Sequence, residues 1–214
     1  SGKHVSTKTL RISNNDLGIG QYLETKYSSS VHKSSRDTSY IMHHDITKAL
    51  VDYYEMPQGN SVAKSGKEKV PQEILFNSDD KIVGSFLAGL FDGDGYLHKK
   101  PHNIGVMCGG SKEFAHWIIL ALLAKGILSK SIFRSNAWEV LVTGKRDILK
   151  YINLIEPYIQ HTKKKLRAVQ YRTHFTSICE KQDKIYVHDI DDSSKVELFG
   201  DTSVRMSGGD HPLA

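Results

Sequence analysis

The chain has 214 residues, enough for one large domain or two small ones around a real core. Its 39% apolar and 25% charged residues, with no apolar run near the ~20 residues of a membrane helix, fit a globular protein and exclude a membrane-embedded one. A charge of +5 and a pI near 9.0 make a modest basic excess, compatible with a nucleic-acid partner but not diagnostic of one. No export signal is visible, and Cys108 and Cys179 fit neither a metal spacing nor a disulfide framework, so an intracellular protein is expected.

In chain order, Arg11–Asn14 ends a polar/apolar alternation and leads into a helix-like stretch, Asp16–Tyr27. A second helix opens near Asp45 and runs toward Pro57, its aspartate suiting the N-cap or the positive end of a helix dipole. The basic segment Lys67–Pro71 follows, and a helix is expected over Asp80–Asp92. Strands are expected over Gly95–His98 and Asn103–Cys108, where short alternation is flanked by Pro and Gly. Lys112–Lys125 reads as a helix with Phe114, Trp117, Ile118, Ala121 and Leu122 on one face, closed by Gly126. Ser129–Arg134 and Trp138–Thr143 form a hairpin around Ser135-Asn136, and Arg146–Ile155 is the next helix.

These elements repeat. Asp45 answers to Asp147, an offset of 147 − 45 = 102, and Asp16 to Lys112, an offset of 112 − 16 = 96. The first unit follows the order of the second but lacks its opening helix, which the offset carries back to or before Ser1. The expected organisation is a first repeat over 1–78, N-terminally incomplete, a second over 79–170, and a β-rich tail over 171–214.

Within the second repeat, Leu87–Gly95 reads LAGLFDGDG, with Phe86 before it and Tyr96-Leu97 after it. The run resembles the nine-residue signature of the LAGLIDADG homing endonucleases and departs from it only at Phe91 and Gly93. The resemblance implies an α+β fold of two pseudo-symmetric αββαββα units with a β-sheet saddle for double-stranded DNA. It also implies metal-dependent hydrolysis of a phosphodiester. Small residues at Gly84, Ala88 and Gly89 would let two such helices approach closely, while Leu87, Leu90 and Phe91 anchor the helix in its own unit. Gly93 and Gly95 would allow the exit into the first strand, leaving Asp94 at the cleft as catalytic and metal-binding carboxylate, with Gly93 beside it. Two such aspartates are unfavourable neighbours unless a cation lies between them, and hard oxygen ligands suit Mg²⁺ or Mn²⁺.

Lys67–Leu75 is similar to a lysine-and-proline stretch of the intein-borne members, which implies basic residues near the scissile phosphate at Lys69 and at the matching Lys165. The sheets would reach DNA through Lys3, Lys8, Arg11, His32, Lys33, Arg36, Lys99, Lys100, His102, Lys130 and Arg134. His43-His44 lacks metal-ligand partners and reads as structural. The tail, with Lys184–Ile190 and Ser207–Ala214, weakly resembles a late intein block without its terminal His-Asn. It is a remnant of a splicing domain or a β-hairpin extension, and splicing by this chain is not supported. The rest of an intein, or a longer host protein, is the implied partner. Two alternatives stand beside the nuclease: an RNA-binding intron maturase, and a DNA-binding remnant that has lost catalysis.

Overall fold

The first half folds as β1 (Arg11–Ser13), α1 (Leu17–Tyr27), β2 (Ser30–Lys33), β3 (Thr38–Ile41) and α2 (His44–Asp52). After a short α3 (Gln72–Leu75) come α4 (Asp80–Asp94), β4 (Tyr96–Leu97), β5 (Ile104–Cys108) and α5 (Lys112–Ala124). The chain continues through β6 (Lys130–Arg134), β7 (Ala137–Val142), α6 (Lys145–Ile155), a 3₁₀ turn (Glu156–Tyr158) and α7 (Thr162–Asp191). The structure, a computed structural model, describes residues 10–33, 38–53, 72–109 and 111–191, with only the backbone for His32, Cys108 and 183–191. Lys3, Lys8, Arg36, Lys69 and the tail from residue 192 lie outside the described residues.

Two antiparallel sheets carry the repeat. One has the order β1-β3-β2 and the other β4-β5-β7-β6. Without β4 the orders coincide, β1 answering to β5, β3 to β7 and β2 to β6, and each sheet is followed by its helix, α2 or α6. The α+β architecture read from the sequence is therefore the observed one.

The second sheet and its helices hold the large core, built from Leu87 and Phe91 of α4, Ile104 and Val106 of β5, Ile118 and Leu122 of α5, and Ile148, Tyr151 and Ile152 of α6. A smaller cluster of Ile19, Leu23, Tyr40 and Met42 lies under the first sheet. Local chemistry sets the ends of these elements. Asp16, Asp79 and Ser111 accept hydrogen bonds from the first-turn amides of α1, α4 and α5. Gly126 turns the chain after α5 at φ +66°, and Ser135 and Asn136 take φ 53° and 61°, the two left-handed positions of a tight hairpin turn.

Two sequence expectations shift. Asp45 and Asp147 stand inside the first turns of α2 and α6, at the positive ends of the helix dipoles as one of the two readings has it, and the caps are His43 and Gly144. Asp147 instead accepts the Leu128 amide at 3.0 Å. The strand-rich tail expected from residue 171 is helix up to Asp191. Its signal was the buried stripe Ala168, Tyr171, Phe175 and Cys179, spaced three and four apart, which carries the core past residue 170. The alternation in Lys184–Ile190 is too short to stop a helix that gains one hydrogen bond per added residue.

The small residues of α4 do not share one face. Gly84 and Ala88 are buried, whereas Gly89 is exposed. A Cβ at Gly84 would meet Leu154 O at 2.4 Å, so α6 occupies that side; a Cβ at Gly89 would meet nothing within 4 Å. Gly84→Ala is expected to destabilise the fold by about 1–3 kcal/mol through overpacking. Gly89→Ala should stabilise the isolated chain by up to about 1 kcal/mol through helix propensity. Urea denaturation of both variants checks the order.

Candidate active site at the end of the motif helix

The nine motif residues give α4 an apolar body and an acidic end. Leu87 and Phe91 are fully buried, and Leu90 packs against the same core. Gly95 is required by proximity rather than by backbone angle, since its φ is −73° but a Cβ would meet the Phe91 ring at 2.2 Å. The two aspartates then separate. Asp94 is exposed at the last residue of α4. Asp92 is 8% exposed, and its two oxygens accept the backbone amides of Gln160 (2.8 Å) and His161 (3.2 Å). Burial pushes the Asp92 carboxyl up, and those two hydrogen bonds and the charges of Lys164 and His161 only partly offset it. Beneath it, Tyr151 is wholly buried, its hydroxyl without a hydrogen-bond partner among the described residues and held strongly toward its neutral form by burial and then by Asp92.

The end of α4 meets the start of α7. Lys164, in the first turn of α7, donates from Nζ to the carbonyls of Phe91 (2.7 Å), Asp92 (2.8 Å) and Gly93 (3.2 Å). These are carbonyls of the last turn of α4, and a cation is favoured at that negative end of the helix dipole. Burial pushes the Lys164 ammonium down, opposed by Asp92, Asp94 and Asp16. Asp16 reaches the same turn from the first repeat. Its Oδ1 accepts from the amides of Gly18 (2.9 Å) and Ile19 (3.4 Å) and from the amide (2.9 Å) and hydroxyl (3.0 Å) of Thr162. Its Oδ2 lies 3.0 Å from His161 Nδ1, a contact of charge rather than an aligned hydrogen bond.

The sheet faces turned from the core form a second surface. Register places Lys130, Ile132 and Arg134 on that face of β6, beside Leu141, Glu139 and Ala137 of β7. Glu139, 6% exposed, accepts from Arg134 Nη2 at 3.0 and 3.1 Å and from the Tyr96 hydroxyl at 3.2 Å. The Tyr96 ring lies across Gly105, where a Cβ would sit 2.2 Å away, and Tyr96, His98 and His102 form a row of rings.

Of the sequence-derived candidates, Asp94 and Gly93 stand together at the exposed end of α4. Lys165 is exposed, and its neighbour Lys164 makes the contacts with that helix end. Arg11, Lys130 and Arg134 occupy outward sheet faces, Lys33 ends β2, and Lys99, Lys100 and His102 are exposed between β4 and β5. His43 caps α2 through Nδ1, as a structural histidine should. The sequence reading missed Lys164, Tyr96 and Glu139. Lys164 shares the helical face of Ala168 and Tyr171, four and seven residues on, and Glu139 is a charge inside the apolar run Ala137–Val142. Those two signals were available.

The donor set fits half of a divalent-cation site. Asp94 offers a hard carboxylate and Gly93 its carbonyl, but among the described residues no three His, Cys, Asp or Glu side chains converge on one metal position.

The electrostatics of Asp16 give a pH dependence. Burial alone would raise its carboxyl, but the Thr162 hydrogen bonds, the His161 charge and the Ile19 amide outweigh it and hold it below the ordinary value. A carboxylate lowered on folding stabilises the fold above its unfolded pKa of about 4, and that contribution is lost as pH falls through the folded value. The stability gap between the natural protein and Asp16→Ala is therefore widest near neutral pH and narrows below about pH 4. Urea denaturation at pH 7, 5 and 3.5 measures it, and a gap that stays constant would contradict the assignment.

Residues 81–156 match the LAGLIDADG-like domain. The chain is 33% identical over 150 residues to the probable translation initiation factor IF-2 of Thermococcus kodakarensis, a match covering 64% of this chain and 12% of that protein. It is 28% identical over 160 residues to the isomerizing glutamine–fructose-6-phosphate aminotransferase of Methanocaldococcus jannaschii, covering 70% of this chain and 14% of that protein. The chain thus spans about an eighth of the length of these curated relatives. Among solved structures, the meganuclease I-SmaMI bound to uncleavable DNA shares the fold at 13% identity and a TM-score of 0.50, over 81% of this chain and 80% of that one. The motif, the repeated sheet topology and the matched model together identify residues 81–156 as a LAGLIDADG-like domain.

Proposed function

We propose that this chain is the DNA-cutting portion of an intein-borne homing endonuclease, which lays its sheet faces on double-stranded DNA and hydrolyses a phosphodiester at the end of α4. The observation that carries the reading is that Lys164 reaches the Gly93 carbonyl beside the exposed Asp94 at one helix end. The intein origin is supported by the relatives. A similar stretch of 150 to 160 residues lies within proteins as unlike as a translation factor and an aminotransferase, which is how an inserted element is distributed.

In this reading Asp94 and the Gly93 carbonyl would hold Mg²⁺ or Mn²⁺ together with an aspartate from a second motif helix, packed on the open side of α4 at Ser85, Gly89 and Gly93. The bound ion supplies a Lewis acid that activates water and stabilises the oxygens of an in-line displacement. Lys164 brings positive charge to the scissile phosphate while its carbonyl contacts fix the helix end. Asp92 takes no part in the chemistry, because both of its oxygens are already engaged. Arg11, Lys130 and Arg134 on the sheet faces, with Lys33, Lys99 and Lys100, supply contacts to the phosphate backbone, the main source of salt-dependent affinity.

A second reading, binding without cutting, is favoured by one observation. The described residues offer a half-site and no complete ligand group. Plasmid cleavage over a library of candidate sites, with Mg²⁺ and with chelator, separates the two. The nuclease reading predicts cutting that chelation abolishes. Asp94→Asn should lower cleavage on the order of a thousandfold, and Lys164→Met on the order of a hundredfold, with DNA affinity within about tenfold of the natural protein. Tight binding with no cutting by any form would favour the second reading.

A further inference from the structure

Of the two carboxylates that grip the turn between the 3₁₀ helix and α7, Asp92 is buried and Asp16 half-buried, and the proposed reaction uses neither. Asp92 of α4 accepts the amides of Gln160 and His161; Asp16 of the first repeat accepts the amide and hydroxyl of the next residue, Thr162. Three consecutive backbone amides are thus shared between one carboxylate from each repeat. The same Asp16 oxygen also caps α1 through Gly18 and Ile19, so a single atom fastens the starts of two helices. The packing is independent evidence of the joint. A Cβ at Gly18 would stand 2.2 Å from Gln160 O and 2.9 Å from Thr162 Oγ1, so the first turn of α1 lies directly on the Gln160–Thr162 backbone.

We propose that Asp16 is a positioning residue for the catalytic end of α4. It holds the Gln160–Thr162 turn from the first repeat, and the turn holds α4 through Asp92 and Lys164. Among the described residues the cluster under the first sheet is separate from the large core, so this polar joint ties α1 and the first sheet to the motif helix. Asp16 touches no reacting atom in this arrangement. Its effect reaches Asp94 through two backbone amides and an ammonium group. The consequence for catalysis rests on the nuclease reading; the coupling itself does not.

Residue-resolved amide hydrogen exchange on the 214-residue chain tests the coupling without any assay of cutting. In Asp16→Ala, the amides of Gln160 and His161 should exchange at least tenfold faster, although Asp16 bonds neither. Asp16→Asn retains an oxygen acceptor and should restore them to within about threefold. Gly18→Ala leaves both carboxylates in place but forces the two backbones apart, and it should reproduce the faster exchange even where Asp16→Ala fails to fold. Acceleration confined to Gly18, Ile19 and Thr162 would overturn the proposal, since the carboxylate would then be a local cap only. In the cleavage assay, Asp16→Ala should lower kcat with KM for DNA unchanged and Asp16→Asn should recover it; a rise in KM alone would also overturn it. If the natural protein does not cut, the nuclease reading fails, and the exchange experiment alone still decides the coupling.

Discussion

The molecule depends on the meeting of two helix ends. α4 finishes with unsatisfied carbonyls and α7 begins with unsatisfied amides, and each end meets a group of the opposite charge. Lys164 closes the carbonyls of α4, while Asp92 and Asp16 close the amides leading into α7. Left open and buried, such groups would each cost about 1–3 kcal/mol. Closing them ties three segments far apart in sequence into one corner, and Asp94 stands at the exposed edge of it.

That corner accounts for the different fates of two aspartates two positions apart. Asp92 faces inward over the buried Tyr151, where burial pushes its carboxyl up and the backbone amides and Lys164 offset only part of that. Asp94, one residue past Gly93, reaches solvent. A helix advances about 100° per residue, so two positions along the motif are enough to separate a buried carboxylate from an exposed one. The sheets contribute differently. Tyr96, Glu139 and Arg134 form a fixed network on the outward face of the second sheet, which presents a preformed surface to a ligand.

Much of this was legible in the sequence, and what was missed has physical causes. The hairpin at Ser135-Asn136, the helix closed by Gly126 and the strands around the motif follow from short-range turn and cap chemistry, and the structure has them within a residue or two. The repeat was visible as an offset because its helices and strands recur in one order. Choosing among Lys163, Lys164 and Lys165 required knowing which face α7 buries, and only the stripe of Ala168, Tyr171, Phe175 and Cys179 reveals that. Gly84, Ala88 and Gly89 look alike as small residues, yet α6 fills the space beside Gly84 and leaves Gly89 open. The role of Asp16 was beyond reach, since its partner Thr162 lies 162 − 16 = 146 positions away and no local pattern links them.

The central claim is that the end of α4 is where a divalent ion and DNA meet the chain. Paramagnetic broadening of amide resonances by substoichiometric Mn²⁺, recorded on the isotope-labelled chain with and without duplex DNA, tests it most directly. The account predicts that the amides of Asp94, Gly95 and Lys164 broaden first, more strongly with DNA present, and that Asp94→Asn removes the effect. Broadening centred elsewhere, or unchanged in Asp94→Asn, would contradict it.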